Sequence, residues 1–202
     1  MSSRTLRQSA PLLAGIAVMG VLGSASAGAQ VTATSESQAL PKSKQTTLGL
    51  YVTAREAYEK WKAAPQDVMV IDVRTPEEFI FVGHPTMAWL IPFAAQTHQW
   101  NAAQRMYAME PLPDFVSRVQ KVAKPTSTLL VTCRSGGRGA MAVNALAKAG
   151  FTNVYNITDG VEGDEVKEPG SVFLGQRLVN GWKNSGAPWT YEIDPARVVL
   201  PQ

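Results

Sequence analysis

The stretch VTCRSGGRGAMAV, residues 131–143, contains the one cysteine of the chain, Cys133, followed by Arg134, Ser135, Gly136, Gly137, Arg138 and Gly139. A thiol attacks as its thiolate, and a thiolate is favoured by nearby positive charge and by unpaired N–H groups. Both are at hand here. An apolar run ends at the cysteine and a helical pattern starts just after it. The free N–H groups of the loop and first turn can therefore converge on the sulfur, with the positive helix end behind them. Three glycines let the loop curl without side-chain obstruction. The two guanidinium groups offer forked donors to an oxyanion. These residue types at this spacing suit a sulfur nucleophile, Cys133, working on a small anion cradled by residues 134–139.

The elements that must position this loop follow from hydrophobic periodicity. DVMVIDV (67–73), TLLVTC (128–133) and NVYNI (153–157) are short apolar runs, predicted as buried strands. In TAREAYEKWKAA, Thr53 and Glu56 are spaced as a capping box, and Ala57, Tyr58 and Trp61 share one helical face. In GRGAMAVNALAKAGF, apolar positions at Met141, Val143, Leu146 and Ala147 with a stop at Gly150 predict a second helix. Strands alternating with helices predict an α/β fold with a parallel sheet. Asp72 and Arg74, at a strand end, are assigned to holding loops together by hydrogen bonds and charge. Glu77 and Glu78, behind Pro76, mark a helix N-terminus. His84 and His98 lack tight ligand spacing, so no metal is expected. Trp89, Trp100, Met106 and Met109 are assigned to core filling.

Residues 1–29 carry Arg4 and Arg7, an apolar run from Leu12 to Leu22 and small residues ending at Ala29, the layout of a secretory signal peptide. That run is well short of the roughly 20 residues that span a bilayer. Its removal leaves 19 − 2 = 17 basic against 16 acidic residues, a net charge of +1. So slight a positive charge argues against nucleic acid as a partner, and no membrane association is expected once the leader is gone. Residues 30–47, rich in Ser, Thr, Gln and Lys, are predicted to form a flexible tether, with one ordered domain over 48–202. The expected location is the periplasm or another exported space, where a lone cysteine cannot close an internal disulfide.

Several segments in order resemble the rhodanese-like sulfurtransferases, from about Leu48 to Trp189. CRSGGR resembles the family's active-site loop. VIDVRTPEEF (70–79), then Gly83 and His84, then IPF (91–93), are similar to its upstream signature. GFTNVYNITDG (150–160) and GWKNSGAPW (181–189) resemble the strand after the catalytic helix and the closing segment. The resemblance implies a three-layer rhodanese-like domain with a central parallel sheet flanked by helices. It also implies that Cys133 takes a sulfane sulfur from thiosulfate or a persulfide donor and passes it to cyanide, a small thiol or a protein acceptor, with no cofactor. Two segments, near 94–112 and 161–180, read as insertions. At Gly139 many relatives carry Ser or Thr.

Two other readings remain open on the sequence. One is a non-catalytic persulfide carrier or interaction module on the same fold. The other is a thiol phosphatase or arsenate reductase, whose loops place an arginine six residues after the cysteine. Here the sixth residue is Gly139 and Arg138 comes one earlier, which disfavours a clamp on three equatorial oxygens.

Overall fold

The computed structural model describes residues 40–201. The signal-peptide reading of 1–29 and the first part of the tether lie outside the described residues. Strand β1 (Tyr51–Val52) runs into helix α1 (Ala54–Ala63), whose N-cap Thr53 closes the expected box: its Oγ1 accepts from Glu56 N–H at 3.3 Å and its N–H donates to Glu56 Oε2 at 2.7 Å. There follow β2 (Val68–Asp72), α2 (Pro76–Val82), β3 (His84–Pro85), β4 (Trp89–Leu90), a hairpin of β5 (Ala94–Asn101) and β6 (Met106–Pro111), and α3 (Phe115–Gln120). The chain continues through β7 (Thr128–Thr132), α4 (Gly137–Lys148), β8 (Val154–Ile157) and β9 (Trp189–Thr190).

Five strands form one parallel sheet in the order β1-β8-β7-β2-β4. Alternation along the strands divides the core. Ile71, Leu129, Val131 and Val154 face α3 and α4, while Val70, Leu130 and Ile157 face α1 and α2. Covering both faces is why the central runs read as continuously apolar. Leu129, Leu130 and Val131 are fully buried, each worth about 1.5–3 kcal/mol relative to exposure. Helix α4 ends where the N–H groups of Gly150 and Phe151 fold back onto the carbonyls of Ala147 and Leu146 at 3.0 and 3.1 Å. Its inner face is Gly139, Ala142, Val143 and Leu146. Met141, expected inside, lies one step off that stripe and is 51% exposed.

The two insertions take different forms. Residues 94–111 form the β5–β6 hairpin, where Trp100 stands 60% exposed, edge-on to Tyr107 at 5.6 Å. Core filling holds for Trp89 and Met109, which pack against the α3–α4 side, and fails for Trp100. Residues 161–180 form a finger closed by Val166 N–H to the Gln176 carbonyl and by Arg177 on Glu165, exposing Val172, Phe173 and Leu174. At the sheet edge, Val199 N–H donates to the Leu90 carbonyl at 2.9 Å, so the C-terminal segment covers β4.

Residues 40–47 differ from the expected tether. Lys42–Lys44 form a 3-10 turn, the Lys44 carbonyl accepts from Asn156 Nδ2 at 3.0 Å, and Thr47 N–H donates to Asn144 Oδ1 at 2.8 Å. This segment is held by hydrogen bonds to side chains of α4 and β8 rather than by apolar burial, so its polar composition concealed its order.

One ion pair sits at the end of β2. Asp72 and Arg74 are both fully buried, with Arg74 Nε and Nη2 forked onto the carboxylate at 3.0 and 2.7 Å, and Nη2 also reaching the Gly83 carbonyl at 2.7 Å. Burial alone would pull the guanidinium down. Asp72, by charge and hydrogen bonds, holds it above its ordinary value. Removing one partner strands a buried charge, so Arg74→Ala is expected to cost about 3–5 kcal/mol in urea unfolding. A loss below about 1 kcal/mol would show that the pair does not organise this region.

Candidate functional site

Cys133 follows β7, on the same alternation as Leu129 and Val131, so its side chain enters the core on the α4 side. It is 1% exposed. The loop closes over it. Its carbonyl accepts from Val161 N–H at 2.8 Å and that of Arg134 from Glu162 N–H at 2.9 Å, so the root of the 161–180 finger braces the loop from outside.

The sulfur accepts the Gly136 N–H at 3.2 Å. Gly136 has φ 97°, and a Cβ there would lie 2.3 Å from the Thr158 carbonyl oxygen. Only glycine fits. The expectation was a ring of amides aimed at the sulfur; among the described residues the contact found is this one. Ser135 and Gly137 are half-buried beside it. Arg134 is also half-buried, and among the described residues no hydrogen bond or ion pair engages its guanidinium.

Arg138, expected to offer its forked donors to an anion, is engaged within the chain. Its Nη1 and Nη2 fork onto the two oxygens of Glu78, Nη1 at 2.6 Å. Glu78 belongs to the first turn of α2, where it also accepts the Thr75 N–H at 3.0 Å and closes a second capping box. Burial pushes the Glu78 carboxyl up, but the hydrogen bonds and charge of Arg138, with help from Thr75 and Arg74, hold it below the usual carboxylate range. Burial likewise pulls Arg138 down, and Glu78 more than offsets it, leaving the guanidinium above its ordinary value. Glu78 also lines a cavity of about 620 Å³ with Thr75, Ala94, His98, Leu112 and Leu200.

Two further residues shape the site. Asn156 is fully buried in β8, on the same side as Val154, and its Nδ2 donates to the carbonyls of Gly136 at 3.1 Å and Lys44 at 3.0 Å. Its Oδ1 points at Gly139, where a Cβ would come within 2.5 Å of it. Gly139 is therefore the counterpart of Asn156: the side chain of β8 fills the space that Ser or Thr would need. Asp159, also buried, accepts from Ala54 N–H at 2.7 Å and Gly181 N–H at 2.9 Å, tying α1 and the closing segment to the end of β8. Burial raises its pKa against the pull of those two N–H groups.

Asp72 and Arg74 are paired with each other in the core, and Arg74 Nη1 also donates to the Glu78 carbonyl at 3.4 Å. His84 stacks on Phe79 at 3.5 Å and its Nδ1 meets the Phe79 carbonyl at 3.2 Å; burial lowers its pKa, favouring the neutral ring. His98 is exposed on β5. The roles of Glu78 and Asn156 escaped sequence reasoning. Asn156 had a signal: a polar residue inside an apolar strand, on the buried side, needs a partner.

A parallel sheet with a cysteine loop between a central strand and a helix N-terminus now has an external counterpart, since residues 53–165 match the family model described as Rhodanese-like domain. The chain belongs to this family. Within the rhodanese-like relatives, thiosulfate sulfurtransferase 16, chloroplastic, of Arabidopsis thaliana is 36% identical over 90 residues, covering 45% of this chain and 68% of the relative. The Arabidopsis thaliana protein HIGH ARSENIC CONTENT 1, mitochondrial, is 36% identical over 90 residues, covering 45% of this chain. The chain spans about half the length of that second relative, 48%. The crystal structure of Rv0390 from M. tuberculosis superposes with a TM-score of 0.52 at 25% identity, covering 70% of this rhodanese-like chain and 96% of that one.

The Gly139–Asn156 contact makes a prediction. Gly139→Ala should destabilise by about 1–3 kcal/mol through overpacking. In a double-mutant cycle with Asn156→Ala the two changes should be coupled by about 1 kcal/mol or more in favour of the double variant. Additive losses in urea unfolding would show that the two positions do not compete for space.

Proposed function

We propose that this protein is a sulfurtransferase in which Cys133 carries the sulfur as a persulfide. The observation that supports the reading most is the Cys133 sulfur accepting the Gly136 N–H at 3.2 Å at the start of α4. That N–H and the helix end stabilise sulfur anions, which both the thiolate and the persulfide are.

In the first step the Cys133 thiolate attacks the outer sulfur of thiosulfate. The new S–S bond forms as the old one breaks, and sulfite leaves with the electron pair, giving Cys133–S–S⁻. Arg134, whose guanidinium is unengaged among the described residues, supplies the cation for the departing sulfite. In the second step a nucleophile such as cyanide takes the outer sulfur, thiocyanate forms, and the thiolate returns. Charge balances in both steps and no cofactor enters. A cysteine only 1% exposed favours donors and acceptors that present a small, protruding sulfur or carbon to the loop.

A second reading is a persulfide carrier serving one protein partner. It draws on the exposed Val172, Phe173 and Leu174 of the finger whose root braces Cys133 and Arg134. Turnover with cyanide separates the two: a carrier would hold its sulfur in the presence of small acceptors.

We further propose that residues 1–29 direct export. Intact mass of the protein from a secretion-competent host should correspond to a chain starting at Gln30, and a chain starting at Met1 would refute export by cleavage.

Thiosulfate treatment should add the mass of one sulfur to the wild-type protein and none to Cys133→Ser, and cyanide should remove it with release of thiocyanate. An equal mass gain in the variant would end the proposal. Hydrolysis of an aryl phosphate that depends on Cys133 and outpaces sulfur transfer would instead favour phosphoryl chemistry.

A further inference from the structure

Arg138 and Glu78 pose a problem that the proposed reaction leaves unanswered. Arg138 is the second residue of α4, in the loop that would meet an anionic donor, yet both its Nη groups are taken by a carboxylate from another helix. The fork that fits a carboxylate also fits two oxygens of a sulfonate or sulfate. Glu78 thus occupies, from within the chain, the donor geometry that a substrate oxyanion would use. Both side chains are partly shielded, at 18% and 24% exposure, so the pairing is stronger than a surface ion pair. The carboxylate is also fixed locally, because the Thr75 capping box holds one of its oxygens.

On the sulfurtransferase reading above, we propose that Glu78 is the residue that sets donor charge preference. By holding Arg138 in a closed, neutral pair, it keeps the loop from binding dianionic donors tightly and leaves Arg134 as the operative cation. Donors with a single negative charge are disfavoured less, because they have less to gain from Arg138. Glu78 acts through Arg138 and touches no reacting atom, so it is a positioning residue.

The test uses Glu78→Gln in the full protein. Glutamine at this position can still close the capping box and accept one N–H from Arg138 through its Oε1, while its Nε2, a donor, cannot accept the second, so the fork opens and the neutralising charge is lost. Two readouts are taken. The first needs no turnover: sulfate protection of Cys133 against alkylation by iodoacetamide, followed by mass spectrometry. The half-protecting sulfate concentration should fall about three- to tenfold in Glu78→Gln. The second is kinetic: KM for thiosulfate should fall by a similar factor with kcat changed less than about twofold, and KM for benzenethiosulfonate, a monoanion, should fall less.

The double variant Glu78→Gln/Arg138→Gln replaces one neutral pair by another. Its sulfate protection should return to the wild-type concentration. Three results overturn the proposal: unchanged sulfate protection in Glu78→Gln, an equal fall in KM for both donors, or several-fold weaker protection in the double variant than in the wild type. The last would mean that Arg138 binds anions despite Glu78, and it stands even if Glu78→Gln alone does not fold. Absence of any sulfur transfer in the wild type would defeat the sulfurtransferase reading instead, and the sulfate arm would still decide whether Glu78 masks Arg138.

Discussion

The site depends on one backbone constraint, the left-handed turn at Gly136. Its φ of 97° brings the chain so close to the Thr158 carbonyl that no side chain can stand there. That turn sends the Gly136 N–H to the Cys133 sulfur and the Gly136 carbonyl to Asn156. A loop bearing two arginines and a thiol would otherwise have many shapes of similar energy. Here the close approach to the end of β8 leaves few. Asn156 then extends the constraint outward, since the same Nδ2 holds the Lys44 carbonyl and so fastens residues 40–47 beside the loop.

Charge is distributed around this turn by pairing. Arg74 is closed on Asp72 and Arg138 on Glu78, and both guanidiniums reach α2, one at the Gly83 carbonyl and one at its first turn. A seven-residue helix has little stability of its own. These two contacts locate it at both ends, alongside the burial of Phe79. The cation at the end of the helix also suits its dipole, as the carboxylate suits its beginning.

What the sequence made legible was local. The capping box of α1, the apolar runs of β2, β7 and β8, the stop of α4 and the cysteine loop all lie within windows of a few residues. Each carries its own signal, and the sheet follows from their alternation. β1, β3, β4 and β9 are two residues each, too short for any periodicity to appear. The hairpin was hidden for a different reason: its strands are largely exposed, so no inner face marks them. Within the site, the loop residues were readable as a contiguous motif, but the direction of Arg138 was not. Its partner lies 60 residues away, and Asp159 meets α1 across 105. The composition of a loop states which charges are present. Only the tertiary fold states which of them are already neutralised.

That distinction bears on how a buried cysteine can be reached. Cys133 is enclosed by its own loop, by the 161–180 root and by the core side of β7. Opening the loop widely would pull Arg138 from Glu78 and expose a charged pair to separation in a partly shielded setting, at a cost of several kcal/mol if neither charge found a new partner. Opening is cheaper if it leaves the α4 turn, its Arg138–Glu78 contact and the braced carbonyls of Cys133 and Arg134 in place and moves only the side chains of Arg134 and Ser135, which make no hydrogen bond among the described residues. The loop therefore divides at Gly136. The half after it is tied to α2 by Arg138, while the half before it is held at its carbonyls by Val161 and Glu162 and carries a guanidinium that is unengaged among the described residues.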